Sequence, residues 1–559
     1  MSTNLSKLHR EELLDKIQQI RTFIAKANQD ENTQNLLQYL NELTKDVKGK
    51  KYGLVFEEHR ESIDETLENN LPVLTEDESL FINNGGQMNF LIEGDNLASL
   101  KLLEKTHKGK IDIIYIDPPY NTGAKDWKYN NDYVDDNDTF RHSKWASMMC
   151  ARLSIAKNLL TDNGILVCAI DHYELYQIGM ILDTLFGEDN RIGICAVVHK
   201  PEGRNQEKFF GTSHEYALYY AKNKNLARFN KVILDEEMQQ SFDKYDEQGA
   251  YKRKNFIRLA DGKYATREAK PNFWYPIYVS PELNNFSLVK NDGWFEIFPV
   301  IKSGVERTWK TLPATFMKLV AENSIEADFV DGRVEIYEKL RENQVIKSHW
   351  IKKEYHAYHF GSKILNEILG TKKFDFPKSL FLMRDIFKLI SPRNATILDF
   401  FAGSGTTGHA VMKLNSEDGG QRKFILCTNN ENNICRDVTY ERIKRVIDKE
   451  NYSASLKYFK VDFVPITDKL YYEYADDLLK YVRGLVELEN GINFNGNAEI
   501  AILLTDAELD AFMINVPIGC KTIYIGHNVL PNETHMRAFQ QYGISIKIIP
   551  EYYYRNLEA

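Results

Sequence analysis

Residues 111–120 read Ile-Asp-Ile-Ile-Tyr-Ile-Asp-Pro-Pro-Tyr. The first six form a short β-branched apolar run ending in a Pro-Pro turn, the pattern of a buried parallel strand. Asp117 then stands at the carboxyl end of that strand, where open α/β sheets bind ligands. Pro118 and Pro119 fix the turn and delete two N–H donors, so the loop presents acceptors. The Asp117 carboxylate and the Pro118 carbonyl can take both hydrogens of an exocyclic amine, and Tyr120 offers a flat face for a base. Such a pocket suits an amino-purine or amino-pyrimidine. The competing reading is an ordinary strand-terminating turn.

Downstream, Trp145, Met148, Met149, Arg152, Ile155, Leu159 and Leu160 recur at helical spacing. The turn Thr161–Gly164 leads to a second apolar strand, Ile165–Ile170. An amphipathic helix (Leu175, Ile178, Ile181, Leu182, Leu185) then leads to a third strand near Ile192–Val198. Strands alternating with helices predict βαβ units and a parallel sheet covered on both faces. Regularity fails over residues 200–375 and resumes at Ile397-Leu-Asp-Phe-Phe401, so one sheet is predicted to be interrupted by a long insertion.

The resumed strand runs into a glycine-rich turn, Asp399-Phe-Phe-Ala-Gly-Ser-Gly-Thr-Thr-Gly408, and a helix. Gly403 and Gly405 allow a ligand close to the backbone, while the helix N-terminus and the hydroxyls of Ser404 and Thr406 supply donors. No GK[ST] follows at P-loop spacing, and the turn is not the dinucleotide GxGxxG. Glu431, after the next strand (Phe424–Thr428), is placed to hold a ribose diol.

Of the 559 residues, 43% are apolar, 27% charged and 12% aromatic, which excludes a largely disordered or fibrous chain. No apolar run approaches a membrane span, and the charged N-terminus is unlike a signal peptide, so a cytoplasmic protein is expected. The six cysteines are scattered without a CxxC pair and read as reduced, mostly buried thiols; no metal site is expected. The net charge of -9 is uneven. Residues 461–510 hold three basic and eleven acidic residues, whereas 250–270 hold seven basic residues (Lys252, Arg253, Lys254, Arg258, Lys263, Arg267, Lys270) against Asp261 and Glu268. That basic run, interleaved with Phe256, Tyr264 and Phe273–Tyr275, suits phosphate and base contacts; the plainer alternative is a solvated face beside a small core.

Taken together, the Asp117–Tyr120 and Asp399–Gly408 motifs resemble those of the amino-methylating, S-adenosylmethionine-dependent DNA methyltransferases, in the order of the β group. More closely, the chain resembles the modification (Mod) subunits of Type III restriction–modification systems. Leu91–Leu97, His199–Gly203, Thr212–Glu215 and the C-terminal tail add to the likeness. The resemblance implies a Rossmann-like α/β methyltransferase sheet interrupted by an inserted target-recognition domain. Helical spacing (Leu13, Ile17, Ile20, Phe23, then Leu36, Leu37, Leu40, Leu43) gives N-terminal helices (1–50) that dock on the body or on a second subunit, followed by a connector (51–89), and the resemblance adds a catalytic half (90–199), the recognition insertion (200–375), a cofactor half (376–458) and a C-terminal α+β dimer/partner domain (459–559).

By the same resemblance, Asp117, Pro118, Pro119 and Tyr120 receive the target base. Asp399, Phe401, Gly403, Ser404, Gly405 and Thr406 form the cofactor loop. Asp95 serves the cofactor adenine, or alternatively only caps the following helix; Glu431 serves the ribose, and Lys378 and Ser379 the cofactor carboxylate. The Asp-Pro-Pro-Tyr form favours adenine N6. The implied partners are double-stranded DNA, a second copy of the chain and a restriction (Res) subunit. The rival readings are a cytosine-N4 enzyme and a catalytically silent DNA-recognition subunit.

Overall fold

In the computed structural model, the described residues are 5–26, 31–48, 56–129, 132–135, 137–203, 208–230, 240–259, 262–341, 346–466, 471–494 and 497–554. Their centre is a ten-stranded sheet. Across it run the strands Asn70–Glu76, Ala454–Pro465, Gln87–Glu93, Lys423–Thr428, Thr396–Asp399, Ile111–Ile116, Leu160–Ile170, His214–Ala221, Arg191–Val198 and His349–Trp350. The six from Ala454–Pro465 to Leu160–Ile170 are mutually parallel. His214–Ala221 enters antiparallel, and Asn70–Glu76 closes the other edge antiparallel.

The predicted interruption is real. Strand Thr396–Asp399 lies directly beside Ile111–Ile116, with Ile397 opposite Ile113 and Leu398 opposite Ile114, although some 280 residues separate them. From this pair the chain winds in opposite directions, so the crevice above their carboxyl ends is the topological switch point. Ile113, Ile114, Ile397 and Leu398 are all buried, and helices cover both faces, as continuous apolar strands require.

Three boundaries differ from the sequence expectation. Residues 51–89, expected as a connector, include the edge strand Asn70–Glu76, in which Val73 and Leu74 are fully buried. Its proline and flanking charges hide its periodicity. The insertion that leaves the sheet is narrower than 200–375: His214–Ala221 and His349–Trp350 return to the central sheet, and only about residues 240–341 build a separate body. That body has a four-stranded and a three-stranded antiparallel sheet around Phe256, Ile277, Trp309, Phe316 and Ile336. The C-terminal segment is not independent of the core either, because helix Tyr471–Asn490 buries Leu478, Val482 and Leu485 in the main hydrophobic cluster. Beyond it, Ile500–Leu503, Thr522–Gly526 and Ser545–Ile549 form a small parallel sheet.

The N-terminal residues form two helices, Leu5–Ala25 and Glu31–Lys48, packed together through Ile24 and Leu40. Phe23 on the first of them stays 77% exposed. All six cysteines are free thiols, five of them buried. Among the described residues no helix is long and apolar enough to cross a membrane.

Candidate active site

The Asp117 loop is held from two sides. Trp145 Nε1 donates to the Pro119 carbonyl at 2.7 Å. Asn121 adopts φ +55° and donates its buried amide to Glu174, which is also 2.5 Å from His142 Nδ1. Asn tolerates this left-handed turn better than a bulkier side chain. The Asn121–Glu174–His142 group is invisible in the sequence, because its members are separated by up to 53 positions.

Above the loop sits one ammonium group between two carboxylates. Lys378 Nζ lies 3.1 Å from Asp117 Oδ1 and 2.6 Å from Glu215 Oε2, and it contacts the Tyr120 hydroxyl. Tyr120 in turn donates to Glu215 at 2.8 Å. Burial pushes the Asp117 carboxyl above the usual carboxylate range, with Lys378 partly opposing it. Burial acts the same way on Glu215, but there the Lys378 ammonium, helped by His199, prevails and holds it below that range. Lys378 itself is raised despite burial, because both carboxylates face it. Two carboxyl groups thus face a single ammonium in the pocket.

Glu215 is not among the residues that the sequence motifs single out, although it ends the Thr212–Glu215 stretch. Its role becomes legible only once His214–Ala221 is seen to lie in the central sheet. Lys378 is expected at the cofactor carboxylate; the structure places its Nζ on Asp117 and Glu215 instead. Ser379 is buried and caps helix Leu380–Ile390, accepting from Leu382 N and donating to the Glu354 carbonyl at 2.6 Å.

The second loop is alongside. Asp399 accepts from Phe401 N at 3.0 Å and from Thr407 Oγ1 at 2.5 Å, and burial pushes its carboxyl up to about 7. Gly403 and Gly405 have φ +47° and +72°, and Gly405 is the N-cap of helix Thr406–Asp418, so no side chain caps that helix. A Cβ on Gly405 would lie 3.1 Å from Thr439 Cγ2, and one on Gly403 would meet the Phe374 ring at 3.3 Å.

The hydroxyls of Ser404 and Thr406, expected as ligand donors, face inward instead. Fully buried Arg442 donates to them at 3.2 and 2.7 Å and to the Ser404 carbonyl at 3.3 Å. Their geometry fixes the loop and leaves its backbone as the ligand-facing surface. Arg442 is thus a loop-shaping residue that the sequence motif does not signal.

Asp95 and Glu431 follow the neighbouring strands on the same carboxyl edge of the sheet. Asp95 caps helix Asn96–His107 by accepting from Leu97 N at 2.7 Å, and Asn96 reaches the Phe400 carbonyl at 3.1 Å, tying this helix to the glycine loop. Glu431 is exposed and opens a turn in which Asn432 and Asn433 are both left-handed.

The basic run lies in the insertion, away from this crevice in the chain and largely on strand Gly249–Asn255. Arg253 is spent on Glu326 and, at 2.5 Å, on Asp328, and Arg267 pairs with Glu306 at 3.2 Å. Arg258 and Lys270 flank the Phe273 ring, Lys252 lies over Phe242, and Lys254 is exposed. The Lys263 side chain lies outside the described residues. The net surplus of charge in this segment is therefore smaller on the surface than in the sequence.

Residues 111–440 match the family model described as DNA methylase, a span that begins with the Asp117 strand and takes in both loops. The chain belongs to the DNA methylase family. It is 32% identical over 386 residues to the Type III restriction-modification enzyme EcoPI Mod subunit of Escherichia phage P1, covering 62% of this chain and 58% of that protein. It is 32% identical over 381 residues to the Type II methyltransferase M.KpnI of Klebsiella pneumoniae, covering 66% of this chain and 90% of that one. Against the Type III StyLTI Mod subunit of Salmonella typhimurium the identity is 30% over 393 residues, with 65% and 56% covered. The chain thus spans a little over half the length of the Mod relatives it matches.

Proposed function

We propose that this DNA methylase transfers a methyl group from S-adenosylmethionine to adenine N6 in a base flipped out of double-stranded DNA, as the modification subunit of a Type III-like restriction–modification system. The observation that carries the reading is the adjacency of strands Ile111–Ile116 and Thr396–Asp399, which sets an amine-acceptor loop beside a glycine cradle. Membership in the family and the Mod relatives support the substrate and the system.

The residues fit the cofactor. Gly403 and Gly405 shape a tight left-handed turn whose Cβ positions are already taken by Phe374 and Thr439, the helix N-terminus beyond them carries no side-chain cap, and Asp399 is an acceptor within the loop. Asp95 and Glu431, which follow neighbouring strands on the same carboxyl edge of the sheet, are the acidic residues assigned by this reading to the adenine and the ribose. When bound, the cofactor supplies a methyl group already activated on a sulfonium.

The chain's own residues do the rest. A base in a duplex is out of reach, so it must be extruded at a cost of a few kcal/mol. Tyr120 then stacks on its face. Asp117 and the Pro118 carbonyl accept the two amine hydrogens and aim the nitrogen lone pair, which is catalysis by positioning. Lys378, 3.1 Å from Asp117 Oδ1, holds that carboxyl in place. As the nitrogen becomes cationic, the pocket carboxylates stabilise it, and Asp117 holds the departing proton.

Digestion of methylated DNA to nucleosides tests the assignment. N6-methyladenine is expected; N4-methylcytosine would move the chain to the cytosine-N4 class. Homodimerisation and capture of a Res subunit complete the proposal, with co-purification from the native host as the check.

A further inference from the structure

Phe376 combines three features that the fold does not use. Its side chain is 89% exposed, its φ is +55°, and it precedes Pro377. A bulky residue at positive φ is strained, and a following proline disfavours that conformation further. Strain of this kind persists only where the surroundings impose it.

The surroundings are identifiable. Two residues upstream, the Phe374 ring packs at Gly403 of the cofactor loop. Two residues downstream, Lys378 is anchored on Asp117 and Glu215. From behind, the backbone of Gly361 is pressed so closely against the carbonyls of Pro377 and Lys378 that a Cβ there would lie 2.3 Å from the former. The segment 374–378 is therefore a clamped bridge between the two halves of the crevice. Its central aromatic ring points to solvent rather than into the core.

We propose that Phe376 is a wedge that enters the DNA stack beside the target base and fills the gap left when that base moves to the Asp117 pocket. The reading rests on the proposed function, since it needs a duplex substrate with a flipped base. An exposed apolar ring on a rigid mount suits this role, because side chains that insert between base steps offset lost stacking with buried apolar surface. The ring would hold the base out, leaving binding of the cofactor to other residues.

The test uses the full chain and a duplex bearing its own methylation site, found by sequencing methylated DNA. Phe376→Ala and Phe376→Trp are compared with the unaltered chain on a matched duplex and on one with a mismatch at the target base, which is easier to extrude. Extrusion is followed by the emission of 2-aminopurine at the target position. The expected result is a rate loss of about tenfold or more for Phe376→Ala on the matched duplex, with weaker 2-aminopurine emission. On the mismatch most of the rate should return, with cofactor affinity unaltered. Phe376→Trp should retain activity. Equal rates for Phe376→Ala and the unaltered chain on the matched duplex, or equal losses on both duplexes, would overturn the wedge. No methylation by the unaltered chain on either DNA would instead overturn the proposed function.

Discussion

Replacing Glu215 by Gln should slow methyl transfer without disturbing the fold of the pocket, because Glu215 adds its own negative potential at the amine that Asp117 receives. Both carboxylates meet one ammonium, at 3.1 and 2.6 Å, so the engaged oxygens lie no more than about 6 Å apart. At an effective dielectric of about 20, a unit charge at that range is worth about 3 kcal/mol, and somewhat less at the amine beyond Asp117. A loss of about 1–3 kcal/mol in stabilising the developing ammonium corresponds to about a five- to 150-fold fall in rate. The isosteric amide keeps a partner for the Tyr120 hydroxyl, so binding should change less than turnover.

The pH profile separates charge from shape. Glu215 is a like charge that helps raise Asp117, so its removal extends Asp117 ionisation to lower pH and moves the acid limb of the single-turnover rate downward. Lys378→Met removes the cation that lowers Asp117 and moves the limb upward. The double variant Glu215→Gln, Lys378→Met restores a lone anion at Asp117 and should be faster than either single variant. Unchanged limbs in the single variants, or a double variant no faster than the slower single, would refute the electrostatic reasoning.

Other expectations follow from the same geometry. Asp399, pushed up to about 7 by burial, is more easily protonated in the folded chain than in the unfolded one; its contribution to stability is present below about pH 4 and is lost as pH rises through 7. Denaturation at pH 5 and pH 8 should therefore show a loss on the order of a few kcal/mol for the cofactor-free chain, largely absent in Asp399→Asn. Gly405→Ala should cost about 1–2 kcal/mol of stability and weaken cofactor binding measured by calorimetry, because φ is +72° and Thr439 stands 3.1 Å from the new Cβ. Lys254→Ala should weaken binding across DNA sequences and lower the salt slope by about one. Arg253→Ala, whose charge is already met by Glu326 and Asp328, should alter that slope little while destabilising the insertion.

Most of what positions the site can be read from the chain. Ile111–Ile116 and Thr396–Asp399 carry their strand signal locally, as apolar β-branched runs closed by proline or glycine, and the motifs ride on their ends. What escapes reading depends on distant partners. His214–Ala221 is a buried run lying among charged, irregular sequence, and only its pairing with Leu160–Ile170 reveals that Glu215 faces Asp117. Ser404 and Thr406 look like ligand donors in sequence, because Arg442, nearly forty positions away, is not visible as their partner. Counting charges over 250–270 overstates the free surface for the same reason: Glu326 and Asp328 come from another strand.

Asp117 and the adjoining glycine loop are proposed to methylate an adenine in DNA. Methylation sequencing of DNA from a methylation-free host expressing the chain, beside Asp117→Ala, tests it most directly. N6-methyladenine at one short motif, absent with Asp117→Ala, is the predicted result. The same mark in both, or none from a folded chain that binds S-adenosylmethionine, would contradict the account.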